Sequence, residues 1–229
     1  MPMIKENIKI ENLIKSYPEG ESRRIVLDDC SFEIERGKMT SLIGKSGSGK
    51  TTLLNIMGGL LKADSGHLYI DGEDISYFSP EMLDDYRAEK IGFVFQDFEL
   101  IEDFTAEENI CLVSDLAGKK RNQKRLDELL KSLELSDLKD HFPSQMSGGE
   151  KQRTAIARAL YHSPSLILAD EPTGNLDRIS SRQVFDLLKE SCFLFDQTIL
   201  IVTHDLTLAK QADTILLLED GKVMRYESD

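Results

Sequence analysis

Eight residues, Gly44-Lys45-Ser46-Gly47-Ser48-Gly49-Lys50-Thr51, constrain this chain more than any other feature. They match G-x-x-x-x-G-K-[ST] in full. The short apolar run Met39 to Ile43 leads into them, and Lys50 to Gly58 follows with Leu53, Leu54 and Met57 on one helical face. Strand, glycine loop and helix therefore come in the order that a phosphate cradle requires. Glycines allow successive backbone N–H groups to turn inward around phosphate oxygens, and the following helix points its positive end at them. Lys50 neutralises β and γ charge, and Thr51 offers its hydroxyl to Mg²⁺. A chance match in a chain of this length is on the order of 1%. A flexible Gly/Ser linker does not fit, because apolar elements abut both ends.

Further runs, Ile91 to Phe95, Leu166 to Ala169, Thr198 to Val202 and Ile215 to Leu218, read as strands buried on both faces of a parallel sheet. Leu166-Ile167-Leu168-Ala169 ends in Asp170-Glu171, a Walker B pattern. Open α/β sheets gather ligands at strand carboxyl ends. Asp170 is thereby placed to hold Mg²⁺ through its water shell and Glu171 to polarise an attacking water as general base. Upstream, the first 38 residues read as strands, with Ile8, Ile10 and Leu13 in one and an alternation from Val26 to Glu35 in another. From about Thr105 to Tyr161 no strand is expected. There Leu126, Leu129, Leu130 and Leu133 form a helical stripe that is read as core.

Composition narrows the function. The chain has 229 residues, with 28 Lys plus Arg against 41 Asp plus Glu, a net charge of −13. Such a surface repels phosphate backbones and anionic lipid, so nucleic-acid binding is not expected. No apolar run exceeds four residues, far short of a bilayer span, so no direct membrane insertion is expected. The N-terminal Met1-Pro2-Met3-Ile4-Lys5-Glu6-Asn7 lacks a signal-peptide apolar stretch. Cys30, Cys111 and Cys192 are too far apart for CxxC chemistry and read as buried apolar residues.

Met146-Ser147-Gly148-Gly149-Glu150-Lys151-Gln152-Arg153, lying ahead of the Asp170-Glu171 strand, resembles the signature motif of the nucleotide-binding subunits of ATP-binding cassette (ABC) transporters. The resemblance covers nearly the whole chain. It implies an α/β fold, a P-loop NTPase with a RecA-like, mostly parallel sheet, an N-terminal antiparallel β subdomain and an inserted helical subdomain. One domain would span 1–229, with its core at about 1–104 and 162–229 and its helical part at about 105–161. It implies that Gly44 to Thr51 and Thr52 bind ATP, with Thr51, Gln96 and Asp170 about Mg²⁺. Gln96 resembles the Q-loop glutamine that senses Mg²⁺ and the attacking water, and His204 the switch histidine on the γ-phosphate. Gly174-Asn175-Leu176-Asp177 resembles the D-loop crossing the dimer interface, and Tyr17 the aromatic that stacks on adenine. Ser147, Gly148 and Gly149 would close over ATP held by a second copy, which implies an ATP-dependent, head-to-tail homodimer.

Leu53 to Leu60, Ile91 to Gln96 and Asp170 to Asp177 are similar to the branch holding macrolide and antimicrobial-peptide exporters, lipoprotein-release systems and the FtsE cell-division ATPase. Departures fall at Met146, Glu150 and Glu102-Asp103. The implied role is an ATPase subunit at the cytoplasmic face of the membrane that drives a separate permease chain. The alternative is an FtsE-like ATPase that regulates a cell-wall hydrolase or sensor without transport. Between Asp97 and Glu108, acidic residues interleave with Phe98, Leu100, Ile101 and Phe104, which predicts an apolar permease seat rimmed by charge.

Overall fold

The computed structural model describes residues 7–20 and 22–226. Two long strands, β1 (Ile8–Glu19) and β2 (Ser22–Ile34), pair antiparallel before the fully buried β3 (Met39–Ile43) feeds the glycine loop and α1 (Lys50–Met57). The chain continues through β4 (Ser65–Ile70), the two-residue β5 (Glu73–Asp74), α2 (Pro80–Lys90) and β6 (Ile91–Val94). Three α-helices follow with no strand between them: α3 (Ala106–Leu116), α4 (Gln123–Ser132) and α5 (Gly148–Tyr161). Strands then alternate with helices through β7 (Leu166–Asp170), α6 (Arg178–Phe195), β8 (Ile199–Val202) and α7 (Leu206–Ala209), and β9 (Thr214–Glu219) and β10 (Lys222–Arg225) complete the described chain.

One sheet has the order β2-β1-β4-β5 and is antiparallel, whereas the other runs β10-β9-β3-β8-β7-β6 and is parallel apart from β10. Side-chain alternation sorts the interior into two layers around the second sheet. Ile167, Ala169, Ile199 and Ile201 face a core shared with α3, α4, α5 and α6, while Leu166, Leu168, Leu200 and Val202 face α1 and the antiparallel sheet. All eight are fully buried. Each large aliphatic among them contributes about 1.5–3 kcal/mol, and a one-residue slip would exchange the two faces. The strands therefore have a fixed register, and their carboxyl ends present loops along one edge.

Leu126, Leu129, Leu130 and Leu133 lie in the first of these cores, as the stripe predicts. All three cysteines are buried, and burial raises the Cys192 thiol to about 12. Strand limits differ from the sequence reading by one or two residues, except that β2 begins at Ser22, four residues ahead of Val26. Phe95 lies outside β6, and β9 starts at Thr214 and runs on to Glu219. Four elements, β4, β5, α2 and β10, carry no clear periodic signal. Helix α2 buries only Tyr86, so hydrophobic spacing is silent there; Ser79 at its N-cap and Pro80 at its first turn mark it instead. Residues Met1 to Glu6, on which most of the signal-peptide reading rests, lie outside the described residues.

Candidate active site

Four parallel strands deliver the predicted residues to one edge. The phosphate loop leaves β3, Gln96 lies two residues beyond β6, Asp170 ends β7 with Glu171 next, and His204 lies two residues past β8. A cavity of about 540 Å³ there is lined by Gly44, Ser46, Gly47, Gly49, Lys50, Thr51, Thr52, Glu171 and His204, and by two further residues, Arg24 and Val26.

Loop geometry depends on absent side chains at two glycines. A Cβ on Gly44 would lie 2.4 Å from the Leu218 carbonyl oxygen, so the loop can pass β9 only as glycine. Gly49, the N-cap of α1, has φ 106°, and a Cβ there would meet Val26 Cγ1 at 2.8 Å. Lys50 is 8% exposed, and its ammonium donates to the carbonyls of Gly44 and Lys45 at 2.9 and 3.0 Å. This folds the charge over the loop. Ser48 Oγ is buried without a partner. A buried cation and an orphan hydroxyl beside inward-turned amides fit an oxyanion ligand. The Lys45 ammonium, by contrast, pairs with Glu219 at 2.9 Å, and Lys45 does not line this cavity.

Asp170 accepts a hydrogen bond from Thr51, and burial raises its carboxyl above the ordinary range despite that bond. A cation beside it would relieve the penalty, so the Thr51–Asp170 pair fits Mg²⁺. Among the described residues no cluster of three or more His, Cys, Asp or Glu side chains could hold a metal. This suits a metal that takes its remaining ligands from phosphate and water. Glu171 has φ 46°, a left-handed conformation uncommon for a residue other than glycine, and its N–H donates to Val202 O at 3.1 Å. That tie to β8 brings its carboxylate 3.3 Å from His204 Nδ1. Thr203 Oγ1 and the Asp205 cap of α7 hold the turn that carries His204.

Other predicted residues stand apart from this cavity. Gln96 Nε2 donates to Asn175 Oδ1 at 3.2 Å, and Asn175 Nδ2 donates to Asp97 Oδ1 at 2.7 Å, clasping the segments after β6 and β7 together. Asp177 caps α6, accepting the amides of Ile179 and Ser180 at 2.9 and 3.1 Å. Ser147 caps α5, and a Cβ on the neighbouring Gly148 would touch Leu176 and Phe98. Within one chain, then, Ser147, Gly148 and Gly149 do not line the phosphate cavity. Tyr17 is exposed on β1, with its hydroxyl 3.5 Å from Thr52 Oγ1.

Comparison with known proteins decides the family. The sequence profile of the ABC transporter family matches residues 27–174. The lipoprotein-releasing system ATP-binding protein LolD of Treponema denticola is 42% identical over 223 residues, covering 96% of this chain and 99% of that protein. The chain belongs to the ABC transporter family. The macrolide export ATP-binding/permease protein MacB of Salmonella choleraesuis is 44% identical over 95% of this chain, which corresponds to 34% of MacB. The ATP-binding cassette MJ0796, solved as a dimer in a post-hydrolysis state with ADP and Pi, superposes with a TM-score of 0.83 at 39% identity, covering 97% of this chain and all of that one. This ABC protein is thus an ATP-binding subunit and an ATPase, with the α/β P-loop fold its motifs predict.

Sequence reasoning missed Arg24. It stands opposite Tyr17 in the β1–β2 register and lines both the ATP cavity and an adjoining 380 Å³ cavity beside Lys45 to Ser48. A cation in that position strengthens binding of a polyanion in a chain of this charge. Its only sequence signal was a basic residue in an acidic chain. Arg24→Ala is expected to weaken ATP about fivefold and adenosine not at all, measured by fluorescence titration; equal loss for both ligands would assign Arg24 to the base instead.

Proposed function

We propose that this chain is the ATP-hydrolysing subunit of a lipoprotein-release or macrolide-export type of system, working at the cytoplasmic face of the membrane on a separate permease. The observation that carries this reading is the alignment of Lys50, Thr51, Asp170, Glu171 and His204 along one sheet edge, in a chain so similar to LolD and to one third of MacB. No helix among the described residues is long and apolar enough to cross a membrane, so movement must pass to another polypeptide or segment.

Lys50 and the loop amides bind the β and γ phosphates. Mg²⁺, when bound at Thr51 and Asp170, supplies charge neutralisation across those phosphates. Glu171 takes a proton from water as its oxygen attacks the γ-phosphorus, and the bond to the ADP oxygen breaks. His204, beside Glu171, donates toward the γ-phosphate. Gln96 would contact the metal and the attacking water, and its bond to Asn175 ties it to the segment that carries Asp177. Tyr17 stacks on the base. Ser147, Gly148 and Gly149 close on the nucleotide of a second copy in a head-to-tail dimer, with Asp177 at the seam.

For the permease, the structure offers a different seat from the one the sequence predicts. Of Phe98, Leu100, Ile101 and Phe104, only Ile101 is exposed, because buried Asn109 pins the loop through Ile101 N, Ile101 O and Phe104 O. The Phe98 and Glu99 carbonyls are clamped by Arg158. Next to this segment a groove of about 670 Å³ is lined by the apolar Leu60, Phe93, Phe95, Val113 and Leu116, and its charged lining mixes Asp84, Asp85, Glu89 and Glu99 with Arg87, Lys119 and Arg158, Asp84 pairing with Arg87 and Glu89 with Lys119. An amphipathic permease helix matches it. Capture of the detergent-solubilised permease tests the reading. Leu116→Asp, at an 80% exposed position, is expected to lower capture more than tenfold. Undiminished capture by Leu116→Asp would place the permease elsewhere.

A further inference from the structure

The hydroxyl of Ser147 is already committed inside its own chain. Its proton goes to Glu150 Oε2 at 2.9 Å, the Ser147 amide donates to the same oxygen at 2.7 Å, and the hydroxyl oxygen in turn accepts the Glu150 amide at 3.4 Å. A serine hydroxyl has one proton to give. While Glu150 holds it, Ser147 faces an incoming phosphate with no donor in its side chain and with a carboxylate beside it. Bonds from the Ser147 amide, then from its hydroxyl, hold the Glu150 carboxyl below the usual carboxylate range, and the charges of Arg153 and His141 act in the same direction. The group is therefore an anion at neutral pH.

Arg153 Nε and His141 Nδ1 are buried with no hydrogen-bond partner, and the charges of both residues act on Glu150. The Arg153 Nε–H is always a donor and His141 Nδ1 is one when it carries the ring proton, and an unmet donor is costly and favours any acceptor that reaches it.

We propose that Glu150 is a positioning residue that withholds the Ser147 proton from the nucleotide of the second copy, so that the ATP sandwich closes only when Glu150 releases the hydroxyl and turns toward Arg153 and His141. The inference rests on the paired-site reading above. Glu150 thus has two opposed effects: it caps α5 in the free subunit and holds the proton that dimerisation must turn toward the γ-phosphate. Breaking a hydrogen bond to a charged group costs enough to shift an equilibrium about tenfold, and a head-to-tail dimer meets the cost at both sites.

The test is light scattering during MgATP titration in a Glu171→Gln background, which keeps nucleotide bound. Adding Glu150→Gln leaves a neutral amide oxygen that still accepts the Ser147 N–H but holds the hydroxyl proton more weakly than a carboxylate does, so the cap persists and the melting temperature should stay within about 2 °C. The MgATP concentration at half-dimerisation should fall about tenfold. In a Ser147→Ala background the same change should yield no gain, because there is no proton left to contest. An unchanged or higher midpoint for Glu150→Gln overturns the proposal. So does an equal gain without the Ser147 hydroxyl, which would assign the effect to charge alone. A monomer at every MgATP concentration in the Glu171→Gln reference would instead defeat the paired site itself.

Discussion

Glu171→Gln is expected to bind MgATP with near-wild-type affinity while phosphate release falls by at least about 10²-fold. Glutamine has the size and shape of glutamate, so the left-handed backbone at this position, anchored by its amide to Val202 O, need not change. Nor do Lys50, Thr51 and Asp170 lose a contact that binds phosphate. What disappears is a group able to take a proton from the attacking water, a loss that costs about 10²–10⁴ in rate where the general base is well placed. The amide can still accept or donate to His204, 3.3 Å away in the native site. A purely structural role would therefore leave turnover intact. Equilibrium nucleotide binding and single-turnover phosphate release, measured together, separate these cases. Near-wild-type turnover would remove Glu171 from the chemistry.

Lys50→Ala is expected to do the reverse, lowering MgATP affinity by about 10²–10³-fold. Its ammonium is almost fully enclosed and is oriented by two backbone carbonyls, so it meets phosphate with little reorganisation. Charge-assisted bonds to phosphate are among the strongest single contacts available. Their loss in a cavity of an acidic chain has few substitutes, since Lys45 is engaged by Glu219. Lys50→Arg should not rescue binding, because a planar guanidinium cannot occupy the pocket of a compact ammonium against the loop carbonyls. Calorimetric titration with MgATP and MgADP checks this, alongside thermal unfolding to show that the loop still folds. Retained affinity in Lys50→Ala would mean that the loop amides alone hold the nucleotide.

Sequence by itself determined the residues whose chemistry is local. The run from Gly44 to Thr51 specifies a loop because its glycines, lysine and threonine act within one turn of chain, and Asp170-Glu171 follows its strand directly. Short continuous apolar runs marked a parallel sheet buried on both faces, and the leucines of α4 marked a core-facing helix. The signature run, read by resemblance, implied a second anion site without showing the bonds that its serine makes.

Tertiary structure decided everything that depends on register or on contacts across long separations. Arg24 joins the ATP cavity only because β1 and β2 pair with Tyr17 opposite it. Gln96 meets Asn175, 79 residues away, only because β6 and β7 are neighbours. The acidic segment after β6 turns most of its apolar residues inward because Asn109 and Arg158, on two later helices, hold its carbonyls. The permease seat we propose is the adjoining groove, whose lining is assembled from residues spread from Leu60 to His162. A side chain's type and its near neighbours are written along the chain, but whether it is turned inward, paired or free is an energy balance set by partners the chain brings from elsewhere.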